Sequence, residues 1–474
     1  MSRTIRFASV ICAMLAASLQ AQVSFDRVLH ADREPQNWLS YSATPLNQRY
    51  SGLTQITSAN VRTLQQQWVW QTRSLEKFEA TPLVVDGVMY TVQAPNDVVA
   101  LDAATGRPFW TYNYTPAPEG RPCCGRVNRG VAILGETLYM ATIDAHLIAV
   151  DAKSGQPIWN TVVAKASERY SMTHTPLVVK DKVIVGTGGG DGPIRGFIAA
   201  FDAKTGKEIW RFYTIPAPGE PGNETWSGES WKTGGAGVWN AGAYDADANL
   251  VYFGTGNPAP DWDGSHRLGD NLYSDSVVAL DADTGKLKWH YQFTPHDELD
   301  YDATQVPVLA DIPWQGRPRK VMLWANRNGV MYVLDRTTGE FQGQAVRKDQ
   351  LARRLRRKGP AAPREVPDEG RHAHSSARPR RHELGAAGIQ SEDRMVLCRE
   401  LGELGHRRRR GSVPESRERE HPADRDGPDD ARAVFQQRHR AVRRRSRLRS
   451  AHARSEMGIS YERHHLGRHA GDRG

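Results

Sequence analysis

Two stretches of the chain carry residue types that could do chemistry. In EGRPCCGRVNRG, Cys123 stands directly beside Cys124, with Arg121, Arg126 and Arg129 around the pair. Neighbouring thiols can bind a soft metal, be an accident of composition, or form a disulfide with each other. Adjacent Cα atoms lie about 3.8 Å apart, short of the usual disulfide span of roughly 4.4–6.8 Å. The bond would close a strained eight-membered ring, and for an isolated dipeptide it is disfavoured. In TPHDELDYD, Asp300 and Asp302 sit two residues apart in an acidic run. Such carboxylates can act as a general base or hold a hard cation, and they can equally cap a turn. The choice depends on the compartment and on the scaffold that positions them.

The first residues, MSRTIRFASVICAMLAASLQAQ, combine a basic start, an apolar run and small residues, the pattern of a signal peptide over 1–22. Export implies an oxidising compartment, the periplasm, in which disulfides persist. Cys12 would leave with the signal, and Cys398 lies in an aberrant region, so the mature chain holds Cys123 and Cys124 as its dependable cysteines. No later stretch is long and apolar enough to suggest a membrane span.

The formal charge of +9 would suggest a nucleic-acid partner, but its distribution argues otherwise. Residues 347–474 carry 33 Lys+Arg against 19 Asp+Glu, a balance of +14, and residues 1–346 carry 30 against 35, a balance of −5. The basic part has 31 arginines and two lysines, ten of the 16 histidines, and no tryptophan beyond Trp324. It shows neither strand alternation nor turn punctuation. A disordered Arg-rich tail that binds an acidic partner, a solvated charge run and an out-of-frame translation of a GC-rich gene all give such a composition. The abrupt onset and the Arg:Lys imbalance favour the out-of-frame reading, and no nucleic-acid partner is expected.

The elements that must position the candidate residues announce themselves as a repeat over 23–346. VVALDAATGRPFW, LIAVDAKSGQPIW, FIAAFDAKTGKEIW and VVALDADTGKLKW place Asp102, Asp151, Asp202 and Asp281 each eight residues before Trp110, Trp159, Trp210 and Trp289. A fifth copy, MYVLDRTTGE, loses the aromatic register. The apolar run predicts a buried strand, Asp-x-x-Thr/Ser-Gly a tight turn, and Trp the start of the next strand. Spacings of 49, 51, 79 and 54 residues with about four short strands each predict an all-β fold, a β-propeller of radial blades. A stacked solenoid is the rival. QQQWVWQT at 65–72 reads as a further strand that helps close the ring, and the Gly/Trp-rich insertion before the fourth repeat reads as a binding surface.

The repeat, the cysteine pair and TPHDELDYD together resemble the pyrroloquinoline-quinone-dependent alcohol dehydrogenases, over about residues 35–345. The resemblance implies an exported propeller of eight blades, of which about five are recognisable here, and hence an incomplete ring. It implies a disulfide between Cys123 and Cys124 over the quinone. Quinone contacts would come from Glu79, Arg129, Thr173, Gly189 and Gly190, with Trp239 of GGAGVWN stacking on the other face. Metal ligands would be Asp191, in place of the family's Glu, and Asn257 of GTGNPAP. Asp300 would be the catalytic base and a ligand, and Arg327 of NRNG would lie beside the quinone oxygens. Asp302 marks the lanthanide-using branch and favours a lanthanide over calcium. Asp191 is one methylene shorter than Glu, which weakens the expected metal site.

These types suit the chemistry: a base for the hydroxyl proton, a hard cation to polarise a carbonyl, an arginine for developing charge. His296 is expected to be structural, because a hard ion prefers oxygen. The implied partners are a small alcohol and a separate electron acceptor, a soluble c-type cytochrome, since no Cys-x-x-Cys-His occurs in the sequence. A homodimer is compatible with the resemblance. The alternative is a non-catalytic propeller that binds proteins. An incomplete ring would leave the 474-residue product poorly folded and inactive. Sequencing the gene tests the tail: further Trp-bearing repeats are expected in another reading frame of the 3′ DNA, and their absence overturns the out-of-frame reading.

Overall fold

Apolar, β-branched runs punctuated by Gly- and Asp-bearing turns give each repeat four short antiparallel strands in simple up-and-down order. The computed structural model describes residues 23–346, all within the first of two units, Met1–Val366 and Pro367–Gly474. The expected signal peptide over 1–22 and the Arg-rich tail over 347–474 lie outside the described residues.

The first sheet holds β1 (Leu83–Val85), β2 (Val88–Gln93), β3 (Asp97–Asp102) and β4 (Pro108–Tyr112). The second holds β5 (Ala132–Leu134), β6 (Thr137–Ala141), β7 (His146–Asp151) and β8 (Pro157–Val162). The third holds β9 (Leu177–Val179), β10 (Lys182–Gly186), β11 (Phe197–Asp202) and β12 (Glu208–Tyr213). The fourth holds β13 (Ala243–Asp245), β14 (Leu250–Gly254), β15 (Ser276–Asp281) and β16 (Leu287–Gln292). The fifth holds β17 (Val308–Trp314), β18 (Arg317–Ala325), β19 (Val330–Asp335) and β20 (Phe341–Val346). This is the all-β, propeller-type arrangement the repeat predicts, with five blades among the described residues and no closed ring formed by them.

The third strand of each of the first four sheets is buried on both faces, which explains runs such as VVAL without polar alternation. The fourth strand alternates, as β8 does, because it forms the outer rim. The conserved geometry lies between them. Asp102 accepts the amides of Ala104 (3.0 Å) and Thr105 (2.8 Å) through Oδ1, and Gly106 turns the chain at φ 72°. Every sheet carries a register shift at this point, for example between Ala100 and Leu101.

Each blade then locks onto the next through one indole. Trp110 lies over Gly155, Trp159 over Gly206, Trp210 over Gly285 and Trp289 over Gly339. The glycines have φ between 68° and 76°, and a Cβ on any of them would come within 2.7 Å of a Trp ring atom. The indole Nε1 of Trp110, Trp159 and Trp210 donates to the carbonyl of Ala152, Ala203 and Ala282. In the fifth repeat Arg336 replaces that alanine; its guanidinium is buried against Asp245 (2.6 Å) and Asp311 (2.5 Å), joining the fourth and fifth sheets. Core clusters are shared between neighbouring sheets: first with second, second with third, third with fourth, fourth with fifth.

The segment 65–72 differs from expectation. It forms no strand, because no strand among the described residues lies beside it to supply ladder partners. Trp68 nevertheless docks over Gly106 and donates to the Ala103 carbonyl at 3.2 Å, as the blade tryptophans do. Residues 23–48 form a strap across the first strands of the sheets. Helix α1 (Phe25–Leu29) starts it, capped by Ser24. Val23 pairs with Gly135 and Trp38 with Val84, Pro45 accepts from Tyr244, and Leu46 accepts from Leu309.

The docking predicts a graded response to alanine. Gly206→Ala should destabilise the protein by about 2–4 kcal/mol, combining positive-φ strain with overpacking against Trp159. Gly135→Ala, at φ 64° with nothing within 4 Å of the added methyl, should cost only about 1 kcal/mol. Urea unfolding of the two variants checks the difference; equal shifts would count against indole docking as the determinant.

Candidate active site

The loops that join the sheets at one end bring most of the candidate residues into two linked clusters. The first is built on Arg129, in the segment between β4 and β5. Its Nη2 pairs with Glu79 Oε2 at 2.8 Å, and its Nη1 donates to Thr173 Oγ1 at 2.9 Å and to the Trp239 carbonyl at 3.3 Å. The guanidinium carbon lies 5.0 Å from the centre of the Trp239 ring. Glu79, Arg129, Thr173 and Trp239 therefore form one network from four different loops.

The second cluster centres on Asp302, whose carboxylate is buried. Its Oδ1 accepts from Trp239 Nε1 (3.1 Å) and the Asn257 amide (3.2 Å), and its Oδ2 accepts from Arg327 Nη1 (2.8 Å). Trp239 joins the two clusters, donating through its indole to one and offering its carbonyl to the other. Glycines allow the loops to meet. A Cβ on Gly256 would sit 2.5 Å from Asp302 Oδ1, and one on Gly190 would sit 3.1 Å from the Gly237 amide. Gly189, at φ 105°, passes so close to the Arg169 carbonyl that a Cβ would reach it at 2.5 Å.

Asp300 lies beside this cluster with one oxygen uncommitted. Its Oδ2 is 3.7 Å from Arg327 Nη2, and its buried Oδ1 has no hydrogen-bond partner. Both Asp300 and Asp302 hold positive φ, 54° and 49°, a strained backbone that the surroundings must enforce. Burial, aided by the charge of Asp302 and opposed by Arg327, pushes the Asp300 carboxyl up to about 7. Burial also raises Asp302, against the hydrogen bonds from Trp239 and Arg327, and it raises Asp261; Asp191, at the rim, is raised by partial desolvation and by the charges of Asp261 and Asp302. The carboxyls crowd one another, with the Arg327 guanidinium beside Asp300 and Asp302, a donor set that suits a hard cation. Asp300 Oδ1, lacking any donor, is the atom most plainly open to such an ion.

Cys123 and Cys124 form the disulfide between neighbours that the resemblance implied. Lys77 Nζ donates to the Cys124 carbonyl at 3.2 Å. The ligand atoms of Cys123, Cys124 and Asp191 lie within 4.8 Å of one another, all on exposed residues. Asp191 thus stands at an exposed loop tip beside the disulfide, while its neighbour Gly190 approaches Asn257 Oδ1. His296, expected to be structural, meets the Gly269 carbonyl through Nδ1 at 2.8 Å. Asp261 was not singled out from sequence, yet its charge acts on both Asp191 and Asp300; its position four residues after Asn257, in NPAPD, was the available signal.

The loop carrying the disulfide is anchored by Asp144, whose buried carboxylate accepts from Tyr114 Oη (2.9 Å), the Ala117 amide (2.8 Å) and Thr142 Oγ1 (2.5 Å). Asp144→Ala removes all three and should free the loop. Limited trypsin digestion at Arg126 should then run roughly five- to thirty-fold faster, the factor expected for 1–2 kcal/mol of lost anchoring. Unchanged cleavage would show the loop is held elsewhere.

Comparison with known proteins gives the same picture. Residues 38–342 match the PQQ family described as the glucose/ethanol/alcohol dehydrogenase beta-propeller domain. The quinohemoprotein alcohol dehydrogenase ADH IIB of Pseudomonas putida is 44% identical over 343 residues, covering 69% of this chain and 49% of the relative. The quinoprotein alcohol dehydrogenase PedH of Pseudomonas putida is 38% identical over 347 residues, 69% of this chain and 58% of the relative. Among solved structures, a europium-containing methanol dehydrogenase superposes with a TM-score of 0.65 at 36% identity, covering 68% of this chain and 60% of that one. The chain spans about half the length of the first of these relatives. The chain therefore belongs to the PQQ-dependent glucose/ethanol/alcohol dehydrogenase β-propeller family.

Proposed function

We propose that this chain supplies the quinone-binding propeller of a periplasmic alcohol dehydrogenase that uses pyrroloquinoline quinone with a lanthanide or Ca2+. The observation that carries the reading is Asp300: a raised, half-buried carboxyl with an unpartnered Oδ1, beside Arg327, at the edge of the Asp302–Trp239–Asn257 cluster. The relatives named as quinoproteins and quinohemoproteins support it.

In this reading Arg129, Glu79 and Thr173 would hold polar groups of the quinone, Trp239 and the Cys123–Cys124 disulfide would pack against it, and Gly189 and Gly190 would leave room at the backbone. Asn257 and Asp300 hold the cation, with Asp191 and Asp302 as further oxygen donors. Asp302 already has donors on both oxygens, so it serves first to orient Arg327 and Trp239, and it would offer an ion only the remaining lone pair of Oδ2. When bound, the quinone supplies the hydride acceptor and the cation polarises its carbonyl. Asp300 would accept the hydroxyl proton through a carboxylate oxygen that the cation leaves free, while the hydride passes to the quinone, and the alcohol would become a carbonyl compound. Arg327 stabilises negative charge next to Asp300. A separate c-type cytochrome is the proposed electron acceptor.

The described residues form no closed ring, and the 474-residue chain is expected to give no quinone-dependent turnover. A chain with the expected 3′ reading frame restored should take up the quinone, read by its absorbance, and oxidise primary alcohols. In that protein Asp300→Asn should lower kcat about 10²–10⁴-fold with quinone uptake retained. A restored chain that never takes up quinone is a scaffold, and turnover by the 474-residue chain refutes the incomplete-site reading. Activity restored by calcium and not by lanthanum refutes the lanthanide preference.

A further inference from the structure

One buried cation joins the loops that carry Asn257 and Asp300, and the proposed chemistry does not use it. Arg267 is fully buried, and its four side-chain hydrogen bonds all go to uncharged oxygens. Nε and Nη2 donate to the Pro260 carbonyl at 3.2 and 3.0 Å, and Nη2 also donates to the Asp297 carbonyl at 2.6 Å. Nη1 donates to Asn271 Oδ1 at 2.9 Å. A guanidinium taken out of water is costly unless its N–H groups are met. Here carbonyls from two different loops meet them, spread over the planar fork that lysine lacks.

Both acceptor loops belong to the candidate site. Pro260 stands three residues after Asn257 and directly before Asp261. The Ala259 amide beside it donates to the Gly234 carbonyl at 2.8 Å. Asp297 opens the acidic loop: its Oδ1 accepts the Leu299 amide at 2.9 Å and its Oδ2 the Tyr301 amide at 2.7 Å, one on either side of Asp300. Asn271 returns a hydrogen bond from Nδ2 to the Arg267 carbonyl at 2.7 Å, so the arginine is itself held in place. We propose that Arg267 is a positioning residue for the candidate site, its single guanidinium tying the Asn257–Asp261 loop to the Asp297–Asp302 loop so that the two open only together. Without it, the Pro260 and Asp297 carbonyls both lose a charged donor, and the loops with the proposed oxygen ligands lose their common anchor.

The catalytic meaning of the two loops rests on the proposed function, but their coupling is read without quinone or turnover, so the two readings fail separately. The experiment is amide hydrogen exchange on the full chain, resolved at Ala259, Leu299 and Tyr301 and over β14–β16. In Arg267→Ala, exchange at all three amides should rise about ten-fold, with β14–β16 within about two-fold of the parent. Ethylguanidinium, added far below denaturing concentration, replaces the lost fork and should restore protection in both loops; urea, planar but uncharged, should not. Unchanged exchange, opening of one loop without the other, or equal loss across β14–β16 overturns the proposal. So does protection that ethylguanidinium fails to restore, or that urea restores equally well. If Arg267→Ala does not fold, Arg267→Lys decides alone, since it keeps a charge but offers one nitrogen to three acceptors. Faster exchange in both loops with β14–β16 unchanged supports the tie, and unchanged exchange or an unfolded protein overturns it.

Discussion

An indole lying on a glycine governs this structure. The glycine must be glycine twice over, since its φ is positive and its missing Cβ is where the ring sits. The tryptophan sits on the outer strand of one sheet and the glycine in the turn of the next, so each contact sets the spacing and angle between two blades. The aspartate that opens the turn holds its shape with its own carboxylate. Every loop that reaches the candidate site starts from a blade placed this way. The site thus inherits its geometry from contacts on the outer rim.

Within the site, the organising group is the Asp302 carboxylate. It binds an indole, a backbone amide and a guanidinium from three different loops. Those donors fix the positions of Trp239 and Arg327 while leaving Asp300, two residues away, short of partners. A satisfied acid beside an unsatisfied one is a division of labour set by environment. The satisfied one holds the scaffold, and the other keeps an oxygen free for a proton or an ion.

Much of this was legible in the sequence because it repeats. The Asp-to-Trp interval of eight residues announced strand, turn and strand, and the blades follow it. Trp239, Asn257, Asp300 and Arg327 were found through motif order, and the structure brings them together. Segment 65–72 shows where the pattern misleads: its Trp68 docks as expected, but a strand also needs a neighbour, which no composition reveals. Asp191 was picked out by its position in GGGDGPIRG, and the structure sets it beside the disulfide, a neighbourhood that a spacing of residues does not reveal. Asp144 gave no signal at all; its importance comes from burial and from donors brought close by the fold, neither of which has a spacing in the sequence.

The strap of residues 23–48 has a consequence for how the molecule is made. A row of blades joined only to their neighbours behaves as a linear array, in which each unit can form or melt almost independently. The strap crosses that row: Asn47 bonds to Gly242, 195 residues away, and Gln48 to Leu309, 261 residues away. It is synthesised before any blade yet cannot complete its bonds until the fifth sheet exists. Closing loops of that length carries a modest entropic cost that grows only slowly with size. In return the early and late sheets share one fate, so a defect in the fifth blade is felt at the beginning of the chain.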